Sequence, residues 1–293
     1  MHDLAQQIVS GLATGSIFAS MALALVLIYR SMGVMNFAQG EMAMFTTYLA
    51  WQFVEQGMPL WVAFPLTIAI AFAGAVAIER IIVRPVEGGS PLTVVILTLG
   101  LLITFNGLAG WIWGYTVRTF PSPFPTTPLH IGSVAFSSQD LGIIAVSLAS
   151  LGAISLFFQK TKVGLAMRAA ALYPESSRAL GVRVGWMLAL GWGLAAAVGA
   201  LSGLMIAPVE LLDPNMMQGI LVYAFASAVL GGIESPVGAV VGGLSLGVVL
   251  NLLGAYVPFI GNELQLTTAF AIIVVIMLFR PAGLFGRRSM QRV

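Results

Sequence analysis

Nine apolar stretches, each close to the length needed to cross a lipid bilayer, take up most of this chain. They cover residues 5–28, 36–54, 60–79, 92–113, 141–158, 186–208, 216–233, 237–256 and 264–279. A hydrocarbon core of about 30 Å needs about 20 apolar residues per helix. Only 8% of the 293 residues are charged, against about a quarter in a soluble domain. We therefore expect an all-α integral membrane protein with a single domain, residues 1–293, built as a bundle of about eight to ten helices, nine by this count.

Several of these stretches are rich in small residues, as in GLATGS, GLAAAVGALSGL and GAVVGGLSLG. Small residues let helices approach closely within a bilayer. The helices are therefore expected to pack on one another rather than to act as isolated anchors. The shorter stretches could be re-entrant segments.

The basic residues predict how the chain is oriented. If the C-terminus is cytoplasmic, nine spans put the N-terminus outside, and all but one of the 13 Lys and Arg residues fall inside. Those inside are Arg30, Arg80, Arg84, Lys160, Lys162, Arg168, Arg178, Arg183, Arg280, Arg287, Arg288 and Arg292, and the one outside is Arg118. Because basic residues concentrate in cytoplasmic loops, we expect this topology.

Two loops are longer than the others. The external loop, residues 114–140, contains FPSPFPTTP and is expected to be irregular and extended, because proline fixes φ and removes a backbone donor. The cytoplasmic loop, residues 160–185, has good helical propensity on both sides of Pro174. Proline suits the first turn of a helix and glycine suits its C-terminal end. Pro174 and Gly181 therefore predict a short helix over residues 174–180.

The cytoplasmic loop also predicts a docking element. Five basic residues beside anionic headgroups would be an ordinary feature of such a loop. Its length and its small residues, among them Ala169, Ala179 and Gly181, instead favour a short helix that enters a groove on a partner protein.

The sequence lacks what most enzymatic sites require. It has no cysteine and two histidines, His2 and His130, so it predicts no disulfide, no thiolate site and no metal site. No GxxxxGK[ST] phosphate loop, GxSxG or HExxH motif occurs. We expect no catalytic residue, no cofactor and no nucleic-acid partner.

A first polar stretch, VMNFAQGEMAMF at residues 34–45, places Asn36, Gln39 and Glu41 in apolar sequence. An ionisable group at mid-membrane costs about 2.5 kcal/mol or more to insert, so it normally faces the bundle interior or an aqueous cavity. These side chains either line a translocation path or form hydrogen bonds between helices. Glu41, near the cytoplasmic boundary, could also pair with a basic residue such as Arg30.

Two more polar stretches interrupt the second half. Glu210, Asp213 and Asn215 lie on the outer side, in a solvated loop or in a gate or docking surface at the mouth of the path. LGGIESPVGAVVGG, residues 230–243, is either a tight helix–helix turn or, through Ser235, part of the path. Similar interruptions in the two halves of a chain are typical of a transporter site built from internal repeats, but the match between this stretch and VMNFAQGE is too weak to identify a repeat from the sequence alone.

Together these stretches resemble the permease subunits of branched-chain amino-acid ABC transporters, more closely the first of the two paired permeases. The resemblance runs from about Gly11 to Gly286. It is carried by GLATGSIFASMALALVLIYRSMGVMNFAQGEMAMF, ERIIVRPVEGGSPLTVVILTLGL, GLAMRAAALYPESSRALGVRV, GGIESPVGAVVGG and RPAGLFG. The combination of NFAQGE with RPxGLFG is the most specific part.

The resemblance implies the permease of an importer in the bacterial inner membrane. The chain would pair there with a second homologous permease, two cytoplasmic ATP-binding subunits and a periplasmic substrate-binding protein. ATP hydrolysis would belong to the separate subunits. The substrate would be a branched-chain or other small amino acid, or, as in some members of the family, urea or a short amide. A loaded binding protein would dock on the outer loops, residues 114–140 and 210–215.

In this family the cytoplasmic loop supplies the helix that couples to the ATPase. The resemblance assigns that role to residues 167–181, through Arg168, Ala169, Glu175, Ala179 and Gly181. Tyr173 departs from the family pattern, in which an acidic or amide residue is more usual before the proline. The alternative function is a stand-alone secondary transporter or channel. An ion-coupled carrier would more often have paired acidic residues in mid-span, and the spans here hold few.

Overall fold

The chain folds into a bundle of helices that follow the apolar stretches. A backbone in hydrocarbon must satisfy its own hydrogen bonds, and an α-helix does so. The structure, a computed structural model, describes residues 2–86, 89–125, 127, 129–131, 134–257, 264–280 and 282–286. The helices are α1 (His2–Met32), α2 (Gln39–Glu55), α3 (Leu60–Ile78), α4 (Pro91–Trp113), α5 (Ser138–Lys160), α6 (Lys162–Leu172), α7 (Pro174–Ala179), α8 (Val184–Glu210), α9 (Met216–Gly231), α10 (Pro236–Tyr256) and α11 (Gln265–Phe279).

Each of the nine predicted stretches contains a helix, but the helices differ in length. Among the described residues, six helices are long and apolar enough to cross a membrane: α1, α3, α4, α5, α8 and α10. The other three, α2, α9 and α11, have 17, 16 and 15 residues. At about 1.5 Å per residue they are about 22–26 Å long, less than the hydrocarbon core. Nine complete crossings are therefore not confirmed.

The bundle has two ends, which we name after residues that lie there. At the Arg30 end, α1, α5 and α9 finish, and α8 and α10 begin. Beyond α3 a π-helical turn (Glu79–Val83) continues this end, where the Arg80 guanidinium lies 3.3 Å from the ring centre of Trp186 on α8. At the opposite, Trp113 end, α4 finishes. The basic residues of the described part gather at the Arg30 end except Arg118, which agrees with the sequence expectation, while residues 287, 288 and 292 lie outside the described part.

Helices α1–α4 and α8–α11 repeat one packing arrangement in opposite directions. Helix α2 packs on α3, α4 and α8, and α9 packs on α10, α11 and α1. Likewise α1 packs on α10, and α8 packs on α3. Because α1 runs toward the Arg30 end and α8 runs away from it, the two halves form an inverted repeat. Helices α5–α7 join them.

The most buried helices are α1 and α8, which lie at the centre of the bundle. Helix α1 crosses α10 so closely that a Cβ at Gly243 would overlap the backbone of Ala19, and one at Gly247 would overlap that of Gly15. Dispersion and close packing, not hydrophobic burial, hold helices together in lipid. The expectation that small residues bring helices together is confirmed here.

The loop of residues 114–140, expected to be external, is more ordered than its prolines predicted. Strands β1 (Leu129–Ile131) and β2 (Val134–Phe136) form a short antiparallel hairpin in an otherwise helical fold. Earlier in the loop, Phe120 is buried and packs on Phe64, with ring centroids 6.0 Å apart. Residues 121–125 are irregular, as expected. The loop therefore folds onto the Trp113 end instead of extending away from it, because its aromatic residues find apolar partners there.

Candidate functional site

Helix α2 begins in the interior of the bundle. The amide of Gln39, its first residue, donates from Nε2 to the carbonyl oxygen of Ala195 at 2.9 Å. Ala195 lies about 16 Å along α8 from its start at the Arg30 end. Asn36 accepts a hydrogen bond from Ala38 N at 3.0 Å through Oδ1, and both Asn36 and Gln39 are fully buried. We expected this stretch at the cytoplasmic boundary, but the chain turns inward after α1 and starts α2 deep in the bundle.

Helix α9 begins in the same way in the second half. Asp213 Oδ1 accepts a hydrogen bond from Asn215 N at 2.7 Å, as Asn36 does from the residue two positions on. The two connections also share a backbone hydrogen bond three residues long: Met216 N donates to Asp213 O at 3.2 Å, and Gln39 N donates to Asn36 O at 3.3 Å. The partner of residues 34–38 in the repeat is therefore 211–215, and not the glycine-rich stretch 230–243.

The two connections also share a backbone feature at their first residue. Gly33, directly after α1, has φ of 70°, and Leu211, directly after α8, has φ of 69°. Leu211 is the one non-glycine residue with positive φ in the described ranges. Such a conformation costs a residue with a side chain about 1–3 kcal/mol and persists where the surrounding structure imposes it. Here the reversal of the chain into the bundle imposes it.

A cluster of polar side chains lies where the starts of α2 and α9 meet. Asn106 of α4 is at its centre: Nδ2 is 3.4 Å from Glu41 Oε2, 2.9 Å from Pro214 O and 3.2 Å from Asn215 Oδ1. Gln218 Nε2 donates to Asn215 Oδ1 at 3.0 Å. Glu41 is 2% exposed, whereas Asn215 and Gln218 are exposed. We call Glu41, Asn106, Asn215 and Gln218 the polar cluster.

This arrangement can hold a small polar solute. The free N–H groups at a helix start carry partial positive charge and favour an anionic group. The carboxylate of Glu41 favours a cation, and the amides can donate or accept. The polar cluster therefore offers complementary partners to a zwitterion at one edge of the bundle interior. Within the described residues, no three His, Asp or Glu side chains come close enough to hold a metal ion.

The alternative partner considered for Glu41 is not the one observed. Arg30 lies at the end of α1, in the electrostatic neighbourhood of Arg168 and Glu234. Glu41 is instead hydrogen-bonded to Asn106, with Asp213 nearby. The pairing of Glu41 with Arg30 is therefore wrong, because α2 starts well inside the bundle while Arg30 stays at its end.

The remaining sequence-predicted residues occupy two different settings. Glu210 ends α8 and is exposed at the Trp113 end, whereas Asp213 and the exposed Asn215 lie at the start of α9. Ser235 caps α10, where its hydroxyl oxygen accepts from Gly238 N at 3.0 Å. A Cβ at Gly231 would overlap the backbone of Gly238. The stretch around Ser235 is thus a tight helix–helix turn, and a part for Ser235 in a path stays a prediction.

The loop of residues 160–185 contains the short helix that the sequence predicted. Helix α7 starts at Pro174 and ends at Ala179, and Gly181 follows with φ of 83°. Arg178 forms an ion pair with Glu175 at 2.6 Å on its exposed surface. Three large apolar side chains next to α7 face solvent, with exposed fractions of 63% for Leu172, 67% for Tyr173 and 84% for Leu180. No other described residue covers these three side chains.

Sequence reasoning missed Asn106 and Gln218 in the polar cluster and the apolar side chains beside α7. A lone amide in an apolar helix carries little information, since Asn251 of α10 is similar and only joins two helices, donating to Gln7 O at 2.6 Å. Leu172 and Leu180 read as ordinary helix formers. Their exposure depends on how α6 and α7 project from the bundle.

Comparison with known proteins identifies the family. The family model described as branched-chain amino acid transport system / permease component matches residues 7–279. The high-affinity branched-chain amino acid transport system permease protein BraD of Pseudomonas aeruginosa is 29% identical, over 100% of this chain and 99% of its own. The corresponding LivH protein of Escherichia coli K12 is 28% identical, over 98% and 97%. The probable LivH of Methanocaldococcus jannaschii is 24% identical, over 98% and 94%.

A solved structure has the same fold. A chain of PsaBC from Streptococcus pneumoniae, in complex with Fab, aligns with a TM-score of 0.51 over 96% of this chain and 93% of its own. At 14% identity the likeness extends to the fold alone. The family match covers nearly all of the helices described above. The chain therefore belongs to the family of branched-chain amino acid transport system permease components.

Proposed function

We propose that this chain is the permease subunit of an ATP-driven importer that moves branched-chain or other small amino acids across the bacterial inner membrane. Its partners would be a second homologous permease, two cytoplasmic ATP-binding subunits and a periplasmic substrate-binding protein. The relatives BraD and LivH are named as permeases for branched-chain amino acids. The inverted repeat supports a transport role, because such repeats place a solute site at their interface.

The observation that carries the proposal is the exposed apolar surface beside α7. Leu172, Tyr173 and Leu180 project from the bundle at its basic end. A carrier that works alone has no use for such a surface, whereas a subunit driven by an ATPase must contact it. We assign the coupling role to Arg168 and Ala169 of α6, to Glu175 and Ala179 of α7, and to Gly181 directly after α7. Arg168 would act from the bundle side of this contact, since its Nε is buried.

The orientation follows from charge. Basic residues concentrate on the cytoplasmic side, so the Arg30 end would be cytoplasmic and the N-terminus outside. The external loop and the exposed Glu210 would then face the periplasm. We assign docking of the binding protein to this surface. Asp213 and Asn215, which lie at the start of α9, would connect docking to the polar cluster.

We assign the translocation path to the polar cluster. Asn215 and Gln218 are exposed at its open side, and Glu41 lies behind them. A second permease packed there would enclose the cluster between the subunits. Asn36 and Gln39 would position the polar cluster indirectly, since the hydrogen bonds of their side-chain amides hold the start of α2 in place. ATP-driven closure of the ATPases would pull on α7 and shift the balance between two arrangements of the permeases, without covalent chemistry in this chain.

The test is a charge in the proposed ATPase contact. Ala179→Glu is expected to abolish ATP-driven uptake of leucine by the complete transporter in proteoliposomes, or to release the ATP-binding subunits on purification, because a buried unpaired charge is costly. Ala179→Ser, which stays small, is the control and should transport normally. Normal coupled uptake by Ala179→Glu would contradict the docking role. Vesicles with this chain alone should show no uptake, and robust uptake there would favour a stand-alone carrier.

A further inference from the structure

A groove runs between α5 and α10, with α1 as its floor. Its volume is about 540 Å³, within the range of about 300–1,000 Å³ found for small-molecule sites. Leu23 and Leu27 form the floor, Leu151 lines the α5 side, and Leu148 and Val241 stand at the rim with 43% and 37% of their surfaces exposed. This part of the groove is apolar.

The groove becomes polar at the Arg30 end. Arg30, from the last turn of α1, and Arg168, from α6, both line it there, close enough to repel each other. Arg168 Nε is buried and has no hydrogen-bond partner. Gln159 and Ser155 line the same end and are joined by a hydrogen bond of 2.9 Å. Among the described residues, the acidic group that acts on Arg30 is the exposed Glu234, so two cations face one carboxylate there and a positive charge remains.

The side opening of the groove faces the hydrocarbon of the membrane. Helix α5 is the least buried of the six long helices, with 17% of its most apolar window buried. Along α1, the distance from Leu23 to Arg30 is about 10 Å. With the Arg30 end at the cytoplasmic surface, as proposed above, the groove would be apolar at the depth of the hydrocarbon and cationic at the depth of the headgroups. Basic pockets between transmembrane helices on the cytoplasmic side suit anionic headgroups.

We propose that this groove binds one anionic phospholipid. One acyl chain would lie along Leu23 and Leu27, and the phosphate would lie between Arg30 and Arg168 and accept from the buried Nε. The phosphate would bridge Arg30 of α1 and Arg168 of α6 and so neutralise the repulsion between these two cations. Helix α1 leads to the polar cluster, and α6 leads to α7. The site is distinct from the polar cluster and stands whatever solute the chain transports.

The experiment measures phospholipid retention by the purified transporter in native mass spectrometry. Phosphatidylglycerol and phosphatidylcholine, with identical acyl chains, are added to the detergent at equal concentrations. The wild type is expected to retain phosphatidylglycerol in preference, and Arg30→Gln with Arg168→Gln is expected to weaken that retention about tenfold, since both cations near the headgroup are lost. Arg183→Gln removes an exposed cation at the same end, outside the groove, and should retain phosphatidylglycerol as the wild type does.

A second variant tests the acyl chain separately from the phosphate. A side chain at Gly152 would point into open space in the groove, so Gly152→Leu should block the chain without disturbing the fold. Gly74→Leu, also in open space but on α3, is its control. Equal retention of the two phospholipids, or full retention of phosphatidylglycerol by Gly152→Leu or by the double arginine variant, would overturn the proposal. So would a disulfide from Gly152→Cys to a cysteine in the second permease, because a protein helix would then fill the groove.

Discussion

Glu41 is a carboxylate inside a membrane bundle, and no ion pair is found for it within the described residues. Burying such a group costs several kcal/mol unless it is hydrogen-bonded or meets a ligand. Asn106 supplies one long hydrogen bond, at 3.4 Å. A cationic group of a substrate placed beside this carboxyl would stabilise its charged form. An ammonium group of an amino acid has the right charge.

Removing this charge while keeping the shape tests the role of Glu41. Glu41→Gln is expected to reduce leucine uptake by the assembled transporter about tenfold or more, because an unscreened attraction to the ammonium group is lost. Glu55→Gln, at the exposed opposite end of α2, is the matched control and should leave uptake unchanged. Radiolabelled uptake in proteoliposomes, with subunit composition checked on a gel, gives the readout. Unchanged uptake in Glu41→Gln would mean that Glu41 only supports the fold.

At the scale of elements, the two short helices α2 and α9 are the informative parts. Their starts are positioned by the connections 33–38 and 211–215, each of which begins at a residue with positive φ. Glycine adopts this conformation at little cost, and leucine does not. The second connection therefore carries strain that the first lacks.

A reciprocal pair of substitutions measures this strain. Leu211→Gly is expected to stabilise the protein by about 1 kcal/mol, and Gly33→Ala to destabilise it by about the same amount or more. The Gly33→Ala change meets no steric clash, since the space around a Cβ at Gly33 is open. Thermal unfolding in detergent, followed with a fluorescent dye that does not react with thiols, would show a higher melting temperature for Leu211→Gly and a lower one for Gly33→Ala. A lower melting temperature for Leu211→Gly would show that the leucine side chain contributes more than its backbone costs.

These elements also show what could be predicted from the sequence. The long apolar stretches predicted the helices because their length and composition are local properties of the sequence. Pro174 and Gly181 predicted α7 for the same reason, since helix starts and ends depend on neighbouring residues. The depth at which α2 starts depends on a hydrogen bond from Gln39 to Ala195, 156 positions away. Asn106 and Asn251 read alike in sequence, yet one joins a polar cluster and the other only links two helices. Such roles arise from packing between distant segments.

At the scale of the whole molecule, the bundle has two chemically different ends, since the basic residues gather at the Arg30 end. The six long helices and the short α2 and α9 place residues 174–179 and the external loop at opposite ends of the bundle. Since the sequence contains no cysteine, the natural chain is itself a background for single-cysteine labelling.

Labelling can therefore test the proposed orientation directly. Ser176→Cys, on the exposed part of α7, is expected to react with a membrane-impermeant maleimide only after the cells are permeabilised. Gly57→Cys, between α2 and α3 at the other end, should react in spheroplasts without permeabilisation. Gly57 has a positive φ, so Glu55→Cys, which lies nearby without it, is the control for a disturbed backbone and should react in the same way. Both are exposed, so access depends on the side of the membrane. The opposite labelling pattern would contradict the proposed topology, since it would place the basic Arg30 end outside the membrane.

The backbone pairing between Arg118 and Leu212 ties the external loop to the start of α9. Each residue donates its N–H to the other's carbonyl oxygen at 2.9 Å, and Arg118 also holds Trp113 O through its guanidinium at 2.6 Å. Leu212 is the residue before Asp213, whose side chain sets the turn into α9. The loop and the start of α9 thus form one mechanical unit. A displacement of the loop must therefore either break this pair of hydrogen bonds or shift the start of α9 with it.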